Sequence, residues 1–161
     1  MIFVTVGTQL PFERLVRTID EWAGNNKDKT VFIQLGKTSF RPRHCEFSAY
    51  TDPAHWERLF QESELIVSHA GMGTILKSIE YDKPLILIPR LASMGEHRND
   101  HQVATVSKLD NYLNIKVVKE IADLPHALDN PPISGHIPRQ ERSDNLDRLI
   151  GEIKRFINES Y

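Results

Sequence analysis

The stretch VSHAGMGTILKSIEYDKPLILIPR, residues 67–90, decides the fold. It runs from a short apolar segment through two closely spaced glycines, Gly71 and Gly73, into a helical pattern and then into a second apolar segment. Short continuous apolar runs are typical of strands that are buried on both faces. The stretch therefore predicts strand, glycine turn, helix and strand, the repeating unit of a parallel α/β sheet.

The same alternation extends outward in both directions. Helical spacing of apolar residues predicts an amphipathic helix over 12–24 that stops at Gly24, and Asp52 followed by Pro53 predicts the start of another. We expect an α/β domain, a Rossmann-like parallel sheet with helices on both faces. The predicted strands are 2–6, 30–36, 44–50, 64–69, 84–89 and 115–118, and the predicted helices are 12–24, 53–63, 72–82, 99–110 and 119–128.

The C-terminal part reads differently from the rest. Residues 1–128 form the predicted domain, and three prolines and a glycine in residues 129–139 predict a linker. Residues 140–161 predict an amphipathic helix, which packs either on its own domain or on a partner subunit. Its apolar stripe consists of Leu146, Leu149, Ile150, Ile153, Phe156 and Ile157.

Composition limits the classes of function. The chain has 161 residues, 40% of them hydrophobic, and a formal net charge of -2, which argues against a nucleic-acid partner. No window approaches the roughly 20 apolar residues of a membrane span, and the N-terminus does not read as a signal peptide. The single cysteine, Cys45, fits a reducing compartment and a role as a small buried hydrophobe. We expect a cytoplasmic protein.

Two glycine turns follow predicted strands, at Gly7-Thr8 and at residues 71–74. In open α/β sheets the ligand lies at such turns, where glycine allows close approach and the helix start offers unpaired N–H groups that suit a phosphate. A purely structural role for the glycines is the alternative. The dinucleotide fingerprint is incomplete, because Leu76 holds the third glycine position and no acidic ribose partner follows a second strand. NAD binding is therefore not expected.

A third polar stretch, RLASMGEHRNDHQ at residues 90–102, follows another predicted strand. His97 and His101 have metal-ligand spacing on a helix, but no third ligand is assigned, so we expect no metal. A ligand-facing loop is the better interpretation, since sugar hydroxyls need many hydrogen-bonding groups.

These residues together resemble a known family. The order of strand, HAGxGT, helix, KPLIxIPR, loop and HQ resembles the donor-binding signature of the glycosyltransferase family 28 C-terminal domain, the C-terminal half of a GT-B enzyme. The opening MIFVTVGTQLPFERLV and the FIQLG of residues 32–36 are similar to the small stand-alone members, the Alg13-like and PssE-like subunits. The resemblance covers about residues 1–128.

The resemblance implies a UDP-sugar as the donor substrate, without an obligatory metal or other cofactor. It implies donor contacts throughout the glycine turns and the start of the following helix, and it places the backbone of Phe47 to Tyr50 loosely near the uracil. His69 and His101 are the candidate catalytic residues. The implied donor-binding residues are Gly7, Thr8, Ser68, His69, Gly71, Met72, Gly73, Thr74, Lys77, Glu80, His101 and Gln102.

One position departs from the family pattern. Many relatives carry a glutamate that binds the ribose hydroxyls where this chain has Lys77, and a lysine cannot accept hydrogen bonds as a carboxylate does. Glu80, about one helical turn further on, is a possible substitute.

The resemblance also implies a partner, because a GT-B enzyme has two halves and this chain holds one. The expected partner is a membrane-anchored, acceptor-binding subunit of the Alg14 or PssD type, which would place this chain at the cytoplasmic face of the membrane. The implied function is the donor-binding, catalytic subunit of an inverting hexosyltransferase acting on a lipid-linked saccharide in exopolysaccharide or capsule biosynthesis. The alternatives are a non-catalytic enhancer of a partner transferase and a nucleotide-binding regulatory module.

Overall fold

The computed structural model describes residues 1–98, 102, 106, 109, 114–134, 144, 147, 148, 150, 151 and 155. Six strands are present in this part of the chain: β1 (Ile2–Thr5), β2 (Val31–Gln34), β3 (Glu46–Ser48), β4 (Leu65–His69), β5 (Leu85–Ile88) and β6 (Ile115–Val117). The helices within it are α1 (Glu13–Asn25), α2 (Pro53–Glu62), α3 (Met72–Glu80) and α4 (Leu124–Asp129), with 3-10 turns at Ala92–Met94 and Ile121–Asp123.

The six strands form one sheet in the order β3-β2-β1-β4-β5-β6, and every neighbouring pair is parallel. The chain builds outward from β1 to β3, then returns to add β4 on the other side of β1. The connections after β1 and β4 therefore lead away in opposite directions, which opens a crevice at the carboxyl ends of these two strands. The predicted Rossmann-like parallel sheet is confirmed.

Two hydrophobic cores cover the two faces of the sheet. Along β1, Ile2 and Val4 pack in the core with α1 and α4, whereas Phe3 packs in the core with α2 and α3. All four residues of β1 and of β5 are buried. This two-sided burial explains why the strands read as continuous apolar runs rather than as alternating patterns.

Helix boundaries differ slightly from the prediction. Helix α1 passes the predicted stop at Gly24 and ends at Asn25, and Asn26 N–H then donates to Ala23 C=O. Helix α3 ends at Glu80 rather than at residue 82, because Asp82 has a φ of 53°, a left-handed conformation that no helix continues. Predicted helix 119–128 is instead a 3-10 turn followed by α4, which extends one residue past the predicted boundary at 128.

The predicted start of α2 is confirmed. The Asp52 carboxylate accepts a hydrogen bond of 2.9 Å from His55 N–H, and Pro53 is the first helical residue. Within the described ranges, no helix has the length and the apolar composition needed to cross a bilayer.

The predicted helix at 99–110 lies mostly outside the described residues, although Gln102 and Val106 are helical. The described residues beyond Ser134 are all helical too. The packing of the C-terminal helix, on this domain or on a partner, stays a prediction.

Candidate functional site

A cavity of about 300 Å³ lies at the carboxyl end of β1, next to β4. Its lining consists of residues 6–10 together with His69, Arg90, His97 and Gln102. These residues follow three strands that are neighbours in the sheet, β1, β4 and β5, so the parallel topology alone brings them together. The cavity lies at the topological switch point, the usual ligand position in such sheets.

His69 is the last residue of β4, and its imidazole ring lies close to two glycines. A methyl group on Gly71 would come within 2.5 Å of His69 Nε2, and one on Gly7 would come within 2.9 Å of His69 Cε1. Gly7 also has a φ of 75°, which side chains rarely adopt. Both glycines are therefore needed to admit the histidine ring, in addition to any role in ligand approach.

The environment keeps His69 neutral. Burial is the main cause that lowers its pKa to about 4, and the positive charge of Arg90 and the nearby His97 add to the effect. A hydrogen bond to the Thr5 backbone opposes it but does not reverse it. At neutral pH the ring is therefore an uncharged hydrogen-bonding group and a weak proton acceptor.

Helix α3 begins directly after this histidine. Gly71 is its N-cap, and the first helical hydrogen bond is donated by Ile75 N–H to Gly71 C=O at 3.2 Å. The N–H groups of Met72, Gly73 and Thr74 precede that bond, at the end of the helix where positive partial charge collects. A Cβ on Gly73 would meet no neighbouring atom within 4 Å, so a ligand can approach the backbone there.

Arg90 joins two loops beneath the cavity. Its guanidinium donates to three carbonyls in the loop after β1, at Val6 (2.6 Å), Leu10 (2.9 Å) and Pro11 (2.6 Å). It also donates to Glu96 C=O at 3.2 Å, in the loop after β5. These bonds hold the loop after β1 against the end of β5. Burial lowers the Arg90 pKa to about 10, so the guanidinium remains charged at neutral pH.

A salt bridge joins the start of α1 to the loop after β5. Both Glu96 carboxylate oxygens accept from Arg14, at 2.5 and 3.0 Å, and one also accepts from Leu91 N–H at 3.0 Å. Arg14 donates in addition to Pro89 C=O at 2.8 Å. This bidentate, largely buried pair holds Glu96 in place and so fixes the position of the 3-10 turn at Ala92–Met94, which precedes it.

Gln102 has a defined orientation. Its side-chain oxygen accepts a hydrogen bond of 3.1 Å from Arg90 N–H. Among the described residues none accepts from the Gln102 NH2, which can donate to a hydroxyl or carbonyl oxygen of a ligand in the cavity.

The structure brings most of the predicted site residues together. Gly7, Thr8, His69 and Gln102 line the cavity. Gly71 lies beside the His69 ring, since a Cβ added there would come within 2.5 Å of Nε2. Met72, Gly73 and Thr74 form the first turn of α3, and Ser68 is fully buried with its hydroxyl 3.4 Å from His69 Nδ1. His101 lies outside the described residues, so its assignment stays a prediction.

Lys77 and Glu80 are not part of the cavity lining. Lys77 Nζ donates to Glu57 Oε2 on α2 at 2.6 Å and lies 5.9 Å from the centre of the Trp56 ring. Glu80 is exposed at the last turn of α3, about 13 Å along the helix axis from Gly71. The lysine at the position of the family glutamate is therefore already paired with a carboxylate from the neighbouring helix.

The predicted strand near Phe47 is confirmed, but it lies at the edge of the sheet as β3. Phe47 and Tyr50 are 41% and 52% exposed, respectively, and the carbonyls of Ser48 and Ala49 accept from the chain after β2. A position near a uracil stays a prediction.

The predicted ligand-facing loop at residues 90–102 included Arg90, which lines the cavity, but the prediction covered neither its role nor the carbonyls that it binds. The signal was present, because an arginine directly after a buried strand sits at the ligand edge of a parallel sheet. Its partners are backbone carbonyls, and a sequence does not display those. The described residues contain no group of three or more His, Cys, Asp and Glu side chains placed to hold a metal ion.

Comparison with known proteins gives the family. The profile of the Glycosyltransferase family 28 C-terminal domain matches residues 1–131. The human UDP-N-acetylglucosamine transferase subunit ALG13 is 26% identical over 110 residues, which cover 60% of this chain and 9% of that protein. The UDP-N-acetylglucosamine--N-acetylmuramyl-(pentapeptide) pyrophosphoryl-undecaprenol N-acetylglucosamine transferase of Prochlorococcus marinus is 27% identical over 112 residues, or 62% of this chain and 31% of that protein. The chain thus spans less than a third of the length of either relative.

Solved structures agree on the fold. The NMR solution structure of ALG13 gives a TM-score of 0.59 at 18% identity, covering 90% of this chain and 94% of that one. The crystal structure of Acinetobacter baumannii MurG gives 0.60 at 15% identity, covering 92% of this chain but 49% of that one. The fold is therefore that of the C-terminal half of a GT-B glycosyltransferase.

Proposed function

Because the chain belongs to the glycosyltransferase family 28 C-terminal domain family, we propose that it is the donor-binding, catalytic subunit of a two-component glycosyltransferase. Its donor is a UDP-sugar, from which a hexose passes to a lipid-linked saccharide. The observation that carries the proposal is the open backbone over Gly73 at the start of α3, beside the cavity that His69 and Arg90 line. A UDP-sugar needs both features side by side, an open helix start for its phosphates and a polar cavity for its sugar.

The diphosphate of the donor binds at the first turn of α3. The N–H groups of Met72, Gly73 and Thr74 face it, and the absence of a side chain at Gly73 permits direct approach. The sugar extends into the cavity toward Gln102, whose NH2 donates to one of its oxygens. Neutral His69 lies between the diphosphate and the sugar. Its uncharged ring can accept a hydrogen bond as well as donate one.

The acceptor and the partner are proposed from the relatives. The human relative is named as a transferase subunit, and the Prochlorococcus marinus relative is named for a pyrophosphoryl-undecaprenol acceptor. The residues given correspond in fold to 49% of the MurG chain, and we propose that a second protein supplies the other half of the cleft. We assign it to a membrane-anchored, acceptor-binding subunit of the Alg14 or PssD type, which would hold this chain at the cytoplasmic face. Exopolysaccharide or capsule synthesis is the proposed setting.

The proposed reaction is an inverting displacement. The acceptor hydroxyl oxygen forms a bond to the anomeric carbon, the bond from that carbon to the β-phosphate oxygen breaks, and UDP leaves with the electron pair. The N–H groups of α3 stabilise the negative charge that develops on the UDP, so no metal is required for that step. The hydroxyl proton goes to a general base.

His69 is poorly suited to be that base, because a pKa of about 4 leaves little driving force to remove a proton near neutral pH. We therefore assign the base to the partner subunit, with His101 as the alternative on this chain. His69 keeps a binding role.

A non-catalytic enhancer is the second candidate function, and one observation favours it. Lys77 replaces the glutamate that would hold the ribose, and it is committed to Glu57 rather than directed to the cavity. An enhancer would retain the fold but not need the donor site. Donor binding therefore separates the two candidates.

The test is a substitution of Gly73 by valine. A side chain there meets no neighbouring atom within 4 Å, so the domain should fold normally, but the methyl groups occupy the space that the phosphate needs. We expect Gly73→Val to weaken UDP binding at least about tenfold, a loss of about 1.4 kcal/mol, and to abolish transfer by the assembled enzyme.

Gly151→Val is the matched control. Gly151 is also helical and exposed, and a methyl group added there would likewise meet no neighbouring atom within 4 Å, but it lies far along the chain from the α3 turn. We expect the control to bind UDP as the wild type does. Transfer that survives in a folded Gly73→Val variant would refute the catalytic assignment and leave the enhancer.

A further inference from the structure

Arg90 is a buried cation beneath the cavity. Only 3% of its surface is exposed, and its guanidinium lies 4.6 Å from the centre of the Phe12 ring. Both terminal nitrogens donate to backbone carbonyls, three in the loop after β1 and one in the loop after β5. These carbonyls offset part of the cost of burying the charge, but they do not neutralise it.

The counter-charge of Arg90 is missing from the described part of the protein. Among the described residues, no carboxylate is hydrogen-bonded to the Arg90 guanidinium. The nearby Glu96 carboxylate is already bound through both oxygens to Arg14, and it also accepts from a backbone N–H. Counted over the described residues alone, two arginines and one glutamate give this buried cluster one net positive charge, and buried charges are normally paired.

We infer that the ligand supplies this counter-charge, and that Arg90 is a positioning residue that selects a diphosphate over a neutral group. Arg90 holds the loop of residues 6–11 in place and makes the electrostatic potential of the cavity positive. It acts through this loop and this potential, because its terminal nitrogens are already bound to carbonyls. The inference rests on the proposed function, in which the donor is a UDP-sugar.

The readout is the ratio of two affinities, for UDP and for uridine, each measured by titration of the full chain. The two probes share the base and the ribose and differ in the diphosphate. We expect Arg90→Gln to weaken UDP binding about tenfold and to change uridine binding by less than about twofold. Arg90→Lys keeps the positive charge, so its ratio of UDP affinity to uridine affinity should stay close to that of the wild type.

Arg41→Gln is the control for the loss of an arginine. Arg41 also donates to backbone carbonyls, those of Thr38 and Ser39, but it is exposed and outside the cavity lining. We expect its substitution to leave both affinities unchanged.

Glu96→Gln should change the affinity for UDP in the opposite direction. This test does not require an Arg90 variant to fold. The amide keeps the shape of the side chain, and its one oxygen can still accept from Arg14 where the carboxylate used two, but the net charge of the cluster increases by one. We expect UDP to bind about threefold more tightly, with uridine unchanged. A role limited to holding the loop predicts no such gain.

Two results would overturn the inference alone. One is a folded Arg90→Gln variant in which the UDP-to-uridine ratio equals that of the wild type. The other is a Glu96→Gln variant in which this ratio stays constant or falls. A wild-type chain that binds neither UDP nor uridine would instead overturn the proposed function, and this inference with it.

Discussion

His69 and the two glycines beside it form one structural unit. The ring fits because neither Gly71 nor Gly7 carries a side chain, since a methyl group would lie within 2.5 and 2.9 Å of the ring, respectively. The glycines of this site therefore have different functions. Those at 7 and 71 admit the histidine, whereas the one at 73 leaves space for a ligand.

The buried ring should make stability depend on pH. The pKa of His69 is about 4 in the folded protein and about 6.5 in the unfolded chain, so between these values the unfolded chain binds a proton that the folded protein does not. The contribution of His69 to the free energy of unfolding is therefore fully present above about pH 6.5 and is lost as the pH falls toward 4. We expect a loss of about 2 kcal/mol in the free energy of unfolding between about pH 7 and pH 5.

The measurement is urea unfolding at both pH values for the wild type and for His69→Gln. Other groups titrate in the same range, but they are common to the two proteins. The variant should lose less stability than the wild type over this interval. Equal losses in both proteins would contradict a neutral, buried His69.

At the residue scale, the sequence predicted the parts of the site that glycine and histidine make. Those residues are informative because the turns directly after the strands of an open α/β sheet are where ligands bind. The sequence did not predict how Arg90 holds the loops together. Its guanidinium binds backbone carbonyls, which every residue has, so no residue type marks its partners.

At the scale of elements, α3 contributes both the proposed ligand-binding end and a helix–helix contact. Its first turn faces the cleft, and one turn later Lys77 bonds to Glu57 on α2. Hydrogen bonding to Glu57 raises the pKa of Lys77, and the same bond lowers that of Glu57. The sequence predicted the element but not the pair, because the two residues are 20 positions apart and their contact depends on how α2 and α3 pack.

Charge reversal tests the pair. Lys77→Glu should lower the free energy of unfolding by about 1 kcal/mol, because it places two carboxylates side by side, and adding Glu57→Lys should recover most of the loss. The two side chains are only 35% and 30% exposed, so the effect should exceed that of Arg17→Glu in the more exposed Arg17–Glu13 pair on α1. Urea unfolding of the four proteins of the cycle gives the coupling energy. A coupling of zero would mean that the pair does not join the helices.

For the whole molecule, the strand order determines where the site lies. Because β4 returns to the other side of β1, the turns after these strands meet at one edge of the sheet. The apolar runs of the sequence predicted the parallel sheet, and its glycines predicted a ligand at the carboxyl ends of the strands. The edge position of β3 and the ends of the helices depend on packing and on single backbone conformations such as that of Asp82, which the pattern does not contain.

A second cavity, of about 390 Å³, provides an internal reference. It includes Trp22, Leu128 and Pro131 in its lining and lies against Ile2 and Leu65, the first residues of β1 and β4, at the opposite edge of the sheet. Its position gives no access to the glycine turns. A ligand that binds at the switch point should therefore leave its amide resonances unchanged.

The most direct test of the central claim is a UDP titration of the wild-type chain, followed residue by residue through backbone amide NMR shifts. The account predicts saturable shifts at Gly7, Thr8 and residues 71–74, and none around Trp22. Saturable shifts confined to the Trp22 cavity, or no shifts up to millimolar UDP, would contradict a donor site at the carboxyl ends of β1 and β4.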